Sequence, residues 1–198
     1  MPGDISRRTV IASAAIVPVA ALTVAAQAPA PSVLSSGQLR ILSAFVDRII
    51  PKDELGPSAS ESGVPVYIDR TLGDFLAAER PAFIEGLEAT DAFARRSQNA
   101  PFADLPADKQ DAVLMAMEGG SAEGFQNARA FFNRARRLTL EGMFGDPYYG
   151  GNRNFAGWDL IQYPGPRLAT TAAEQKMGVE IAPYHHSAYG ASGEGHGH

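Results

Sequence analysis

The sequence contains no cysteine among its 198 residues. That absence excludes a disulfide framework, a thiolate zinc or iron–sulfur centre, covalently attached c-type haem and a thiol nucleophile. Histidine is scarce too, at four residues, which leaves few imidazole ligands for a metal. Lysine and arginine number 17 against 22 carboxylates, for a net charge of −5. A nucleic-acid binder would show a basic face instead, so nucleic acid is not an expected partner. Also missing are a Gly-x-Ser-x-Gly elbow, a phosphate-cradling glycine loop and a dinucleotide fingerprint following a strand. No catalytic residue, metal site or cofactor is therefore expected on this chain. If it serves a redox system, the electrons pass through another protein.

What is present begins with an address. Ser6-Arg7-Arg8-Thr9-Val10-Ile11 opens an apolar stretch reaching residue 26. A charged start, an apolar middle and a small-residue exit are the parts of an export signal. Ser6, Arg7 and Arg8, with Val10 and Ile11 close behind, resemble the twin-arginine variant, which points to the twin-arginine translocase and the periplasm. Val and Ile stand where Phe and Leu are more usual, so a general secretory signal or an uncleaved anchor remains an alternative. The stretch is mostly Ala, is broken by Pro18, and falls short of the roughly 20 residues of a membrane span. Cleavage is expected after Ala26, which makes residues 1–26 the signal.

Residues 27–144 read as a small all-α domain of about five helices, because apolar residues recur at three-and-four spacing. Ser35 or Ser36 caps a first helix carrying Leu39, Leu42, Phe45, Val46 and Ile49, which Pro51 stops. A second starts at Val64-Pro65, with Leu72, Phe75 and Leu76 on its inner stripe. Pro81 opens a third, bearing Phe83, Ile84, Leu87 and Phe93. A fourth carries Val113, Leu114 and Met117 before Gly119-Gly120 ends it. The fifth and longest is expected over residues 121–144, with Phe125, Ala128, Phe132, Ala135 and Leu138 inward.

Past Phe144 the composition turns to Gly, Pro, Tyr and Asn, and periodicity is lost. Residues 145–198 are expected to be an extended, Gly- and aromatic-rich segment that lies on a partner and ends in a disordered tail. Its densest part is Asp146-Pro147-Tyr148-Tyr149-Gly150-Gly151-Asn152, followed by Phe155, Trp158 and Tyr163. Aromatic side chains of this kind anchor interfaces, and paired glycines let backbones approach closely. The same stretch could equally be a loop packed on its own domain, or a sugar-binding loop stacking Trp and Tyr on pyranose faces. Arg129, Arg134, Arg136 and Arg137 crowd one helix, either as a solvated face or as a ladder for carboxylates. His185-His186 and His196/His198 could suggest a metal site, and Glu85, Glu88 and Asp91 an acid–base pair. Adjacent histidines diverge on most backbones, and carboxylates at helical spacing are ordinarily solvated charge.

Three features occur together and in order. Ile49-Ile50-Pro51 precedes a Gly/Ser loop and Ser62-Gly63-Val64-Pro65-Val66-Tyr67-Ile68-Asp69. Arg137-Leu138-Thr139-Leu140-Glu141-Gly142-Met143-Phe144 leads into Asp146-Pro147-Tyr148-Tyr149-Gly150-Gly151-Asn152. Gly157-Trp158 is followed by Tyr163-Pro164-Gly165. Over residues 39–166 this pattern resembles the gluconate 2-dehydrogenase subunit 3 family. The resemblance implies a non-catalytic small subunit beside a large FAD-binding flavoprotein of the glucose–methanol–choline type, which oxidises a sugar, polyol or sugar acid. It further implies a third, multihaem cytochrome c subunit in many such complexes, and a small subunit that chaperones and co-exports the large one. On that reading Tyr148, Tyr149, Gly150, Gly151, Asn152, Phe155, Trp158 and Tyr163 form the partner interface, with Arg129, Arg136 and Arg137 as further candidates. The alternative is a stand-alone periplasmic helical module that binds sugar.

Overall fold

The computed structural model describes residues 32–167 and 169–190. The expected export signal, with Ser6, Arg7 and Arg8, lies outside them, as do His196 and His198. Among the described residues there are six α-helices and no strand, in agreement with an all-α fold. The helices are α1 (Ser36–Ile49), α2 (Val64–Gly73), α3 (Arg80–Gln98), α4 (Ala107–Gly119), α5 (Ala128–Phe144) and α6 (Ala156–Leu160). None of them is long and apolar enough to cross a membrane.

Local chemistry explains most helix ends. Ser35 Oγ accepts from the Gln38 amide while Gln38 Oε1 accepts from the Ser35 amide, a reciprocal cap that starts α1. Gly63 enters α2 at φ 83°, and Asn99 and Gly120 leave α3 and α4 in the left-handed region. Helix α5 is central: it packs against α1, α2, α3, α4 and α6. Its Phe131 and Phe132 meet Phe45 of α1 at centroid distances of 6.1 and 5.9 Å, and Phe131 meets Phe83 of α3 at 5.3 Å. Leu42, Ile68, Leu72, Leu87, Val113, Met117, Leu138 and Met143 complete the interior around these rings.

Two expectations need correction. The helix expected from residue 121 begins at Ala128, so α3 and not α5 is the longest. Gly124 sits at φ 72°, and Arg96 Nη2 donates to the Glu123 carbonyl at 3.0 Å. That carbonyl is the acceptor a continuous helix would need for its own ladder. Phe75, expected on the inner stripe of α2, is exposed. The helix ends at Gly73, and Asp74 at φ −121°, ψ −111° turns the chain outward before Phe75. Past Phe144 the chain forms two 3₁₀ turns, Pro147–Tyr149 and Arg153–Phe155, before α6. These pieces are too short to register as a 3.6-residue period.

The α3–α5 contact gives a sign test of packing. Gly86 lies inside α3, where Gly→Ala ordinarily stabilises by about 1 kcal/mol. Here a Cβ would sit 2.1 Å from the Phe131 ring, which Phe45, Phe83 and Phe125 hold in place. Gly86→Ala is therefore expected to destabilise by about 1–3 kcal/mol, read as a lowered urea midpoint. A raised midpoint would show that the ring yields.

Candidate functional site

The aromatic loop is built on the C-terminal end of α5. The last carbonyls of a helix have no partner within it, and this helix ends against protein. Gly145 N–H closes on the Glu141 carbonyl at 2.8 Å. Trp158 Nε1 donates to the Phe144 carbonyl at 3.0 Å, and Asn152 Nδ2 to the Gly145 carbonyl at 2.8 Å. Asn152 is fully buried, and its Oδ1 accepts from the Gly157 amide at 2.8 Å. One amide side chain thus ties the start of the loop to the start of α6.

Glycines make the approach feasible. A Cβ on Gly157 would lie 1.8 Å from the Met143 carbonyl oxygen, and one on Gly151 would lie 2.1 Å from that of Gly142. A Cβ on Gly63 would meet the Gly150 carbonyl at 2.8 Å, and one on Gly142 would meet the Tyr67 ring at 2.7 Å. The Arg153 amide donates to the Ser62 carbonyl at 2.9 Å. The three sequence motifs, far apart in the chain, therefore converge on one junction. Asn152, Asn154 and Phe155 all adopt positive φ, at 45°, 56° and 60°. For a residue as bulky as Phe this is a strained conformation, of the kind that persists only where the surroundings enforce it.

The outer side of the loop is aromatic and partly exposed. Tyr148 and Tyr149 are 51% and 42% exposed, with ring centroids 5.3 Å apart in an edge-on arrangement. Asp146 fixes the turn by accepting from the Tyr148 amide at 2.9 Å. Tyr149 also borders a largely apolar groove of about 720 Å³, shared with Tyr67, Phe75, Leu140, Glu141, Phe144, Gly145 and Asp146. Within it the Tyr67 hydroxyl donates to Glu141 Oε2 at 3.3 Å, and Arg137 Nε donates to Glu141 Oε1 at 2.7 Å. Burial, and then the Glu141 carboxylate, push the Tyr67 phenol above its ordinary value. The Tyr149 phenol is also raised, chiefly by its hydrogen bond with Tyr189.

The expected interface residues fall into two groups. Tyr148, Tyr149 and Tyr163 are exposed, and Gly150 is half-buried. Trp158 and Phe155, at 4% and 5% exposure, join Asn152 and Gly151 inside the chain. The Phe155 and Trp158 rings pack on each other at 5.2 Å. They build the loop rather than project from it, because the α5 terminus needs the indole donor. Arg129 donates to the Glu118 and Gly119 carbonyls at 2.9 and 2.7 Å, so it caps α4. Arg137 pairs with Glu141, and Arg134 with Glu79. Arg136 is exposed. The arginine cluster is thus no single ladder: its members serve different neighbours.

The other candidates resolve into structural roles. Glu88 accepts from Gln38, and Asp91 accepts from the Phe102 amide and Arg95. Among the described residues no group of three or more His, Asp or Glu is placed to hold a metal ion. His185 contacts Asp159 at 2.7 Å and stacks on Phe155 at 4.8 Å. Sequence reasoning missed Phe75, Asp159 and Tyr189 as members of this face. The Gly- and aromatic-rich loop carried a readable signal; Phe75, Asp159 and Tyr189 join it only by folding.

Two measurements test this geometry. Asn152→Ala strands the Gly145 carbonyl and the Gly157 amide, so it is expected to cost about 2 kcal/mol or more of unfolding free energy in a urea titration. A neutral result would remove Asn152 from its central place. Because the folded-state pKa of Tyr67 is raised, its stabilising contribution is complete below the ordinary phenol value and is lost as pH rises through the folded value. In an alkaline titration followed by tyrosinate absorbance, Tyr67→Phe should remove a step from the late-titrating end of the curve.

Comparison with known proteins adds one finding. A family model described as gluconate 2-dehydrogenase subunit 3 matches residues 36–165, from the first residue of α1 through the aromatic loop. No match was found among curated proteins or among solved structures. The matched span holds all six helices and the glycine junction where the three motifs meet. The chain belongs to the gluconate 2-dehydrogenase subunit 3 family.

Proposed function

We propose that this chain is the non-catalytic small subunit of an exported dehydrogenase complex. It chaperones a large FAD-binding subunit of the glucose–methanol–choline type, stabilises the complex, and carries it to the periplasm by the twin-arginine route. The large subunit oxidises a sugar, polyol or sugar acid, and a multihaem cytochrome c subunit receives the electrons. Membership of a dehydrogenase-subunit family supports an accessory role. The observation that carries the docking part is the exposed aromatic face: Tyr149 and Phe75 line an apolar groove beside the family's own motif, and Tyr148 packs edge-on against Tyr149. Solvent-exposed aromatics grouped beside an apolar hollow are the composition of an interface centre.

The division of labour follows from chemistry. A chain without cysteine or a dinucleotide fingerprint lacks the thiolates for an iron–sulfur cluster or covalent c-type haem and the usual loop for a dinucleotide such as FAD. Twin-arginine export passes folded cargo, so a large subunit lacking a signal of its own would fold, load FAD and bind this chain before transport. Ser6, Arg7 and Arg8 then address both proteins at once. The stand-alone sugar-binding reading is weaker, because Trp158, the broadest stacking surface available to it, is buried on Phe155.

Co-expression with the large flavoprotein subunit tests the proposal. With the intact chain, FAD-loaded large subunit should appear in the periplasm; with Arg7→Lys plus Arg8→Lys, both proteins should remain in the cytoplasm. Tyr148→Ser plus Tyr149→Ser should lower recovery of the complex at least about tenfold, as loss of an aromatic anchor pair would. A large subunit that reached the periplasm and held FAD equally well without this chain would overturn the reading.

A further inference from the structure

The family match ends at residue 165, yet the chain beyond it returns to the aromatic face. Arg167 clips the excursion closed, with Nη1 on Glu174 Oε1 and Nη2 on the Ala182 carbonyl, both at 2.6 Å. The Tyr184 amide then donates to the Pro164 carbonyl at 2.9 Å, and the backbones cross so closely that a Cβ on Gly165 would lie 2.1 Å from the Tyr184 carbonyl oxygen. From there the segment runs across the loop. His185 stacks flat on Phe155, 5° from parallel, and reaches Asp159 Oδ1. The Ala188 amide donates to Asp146 Oδ2 at 2.8 Å. Tyr189 packs on Tyr148 at 4.9 Å and on Tyr149 at 5.5 Å.

We propose that Asp146, Tyr148, Tyr149, Phe155 and Asp159 form a receptor face for an extended peptide segment with a terminal aromatic anchor, covered in the free chain by its own residues 184–189. The occupant in place defines the ligand. It has a ring or basic group for Phe155 and Asp159, a backbone N–H for the free oxygen of Asp146, and an aromatic side chain four residues on for the tyrosine pair. The catalytic subunit of the complex supplies such a segment in the assembled state and displaces the strap. This deepens the accessory-subunit reading and rests on it for the identity of the partner.

The contacts suit a cover that comes off. The described residues between 163 and 190 contain no helix or strand, and Tyr184 and Tyr189 remain 46% and 60% exposed. Exposed polar contacts such as His185–Asp159 hold weakly against solvent. The strap prevails in the free chain because it is tethered, which gives it a high effective concentration at the face. A partner that takes Tyr148 and Tyr149 as anchors must move Tyr189, because that ring already occupies them. Lifting the strap also uncovers the Phe155 face that His185 covers.

The test uses the full chain and no dehydrogenase, so its failure is separate from failure of the co-export reading. The probe is a fluorescent peptide of residues 181–190, titrated by anisotropy. In the lifted variant, His185→Ala, Ala188→Pro and Tyr189→Ala free the face while helical content, followed by circular dichroism, stays at the wild-type level. The lifted variant should bind the peptide at least about tenfold more tightly than the wild type, whose tethered segment competes. Adding Tyr148→Ala and Tyr149→Ala should abolish that binding. Affinity no higher than the wild type's, absence of saturable binding, or binding that survives loss of both tyrosines would each overturn the proposal.

Discussion

The structure depends on how the C-terminal end of α5 is satisfied. The central helix ends half-buried against the residues that follow it, and each of its last carbonyls left unpaired there would carry a desolvation cost. The chain answers with the Gly145 amide, the Trp158 indole and the Asn152 side-chain amide. Each donor comes from residues that follow the helix, so the loop must fold back over the end it has just left. That requirement forces the positive φ of Asn152, Asn154 and Phe155, and it places Gly151 and Gly157 against carbonyl oxygens.

A loop held from beneath in this way presents a fixed outer surface. Trp158 and Phe155 hold the inner side, leaving Tyr148 and Tyr149 outside at a set separation. Side chains ordered before binding lose less freedom when a partner arrives, which favours a docking role for the face. The same junction brings in the Gly63 turn and Tyr67, so α2, α5 and the loop share one packing unit. Helices distant in sequence become the walls of a groove whose lining is mainly apolar, with Glu141 tied to Tyr67 and Arg137.

The order and most boundaries of the first five helices were legible because they follow from local rules: Ser35 capping, Pro51 stopping, Gly120 terminating; the five-residue α6, in a stretch expected to be extended, was not. Where a boundary was misplaced, a distant residue decided it. Arg96 of α3 holds the Glu123 carbonyl and keeps residues 121–127 out of α5. The arginine-rich stretch illustrates the same limit. Four like side chains on one helix read as a unit, yet Arg129 caps α4, Arg134 pairs with Glu79 across to the α3 side, and Arg137 pairs within its own helix. Spacing along a helix gives direction but cannot tell which neighbour lies there.

The sequence by itself determined the class of the protein: an all-α chain, without thiol chemistry, whose ordered motifs mark its family. Periodicity, proline, glycine and residue identity are local or compositional, so they survive without a third dimension. Tertiary structure decided which aromatics are inside and which are out. Nothing in Asp146-Pro147-Tyr148-Tyr149-Gly150-Gly151-Asn152 distinguishes its tyrosines from Phe155 or Trp158 as candidate anchors. The difference comes from the α5 terminus, which claims the indole N–H and the Asn152 amide as donors and leaves the phenols at the surface. A hydrogen-bond debt at one helix end, visible only after packing, sorted the site.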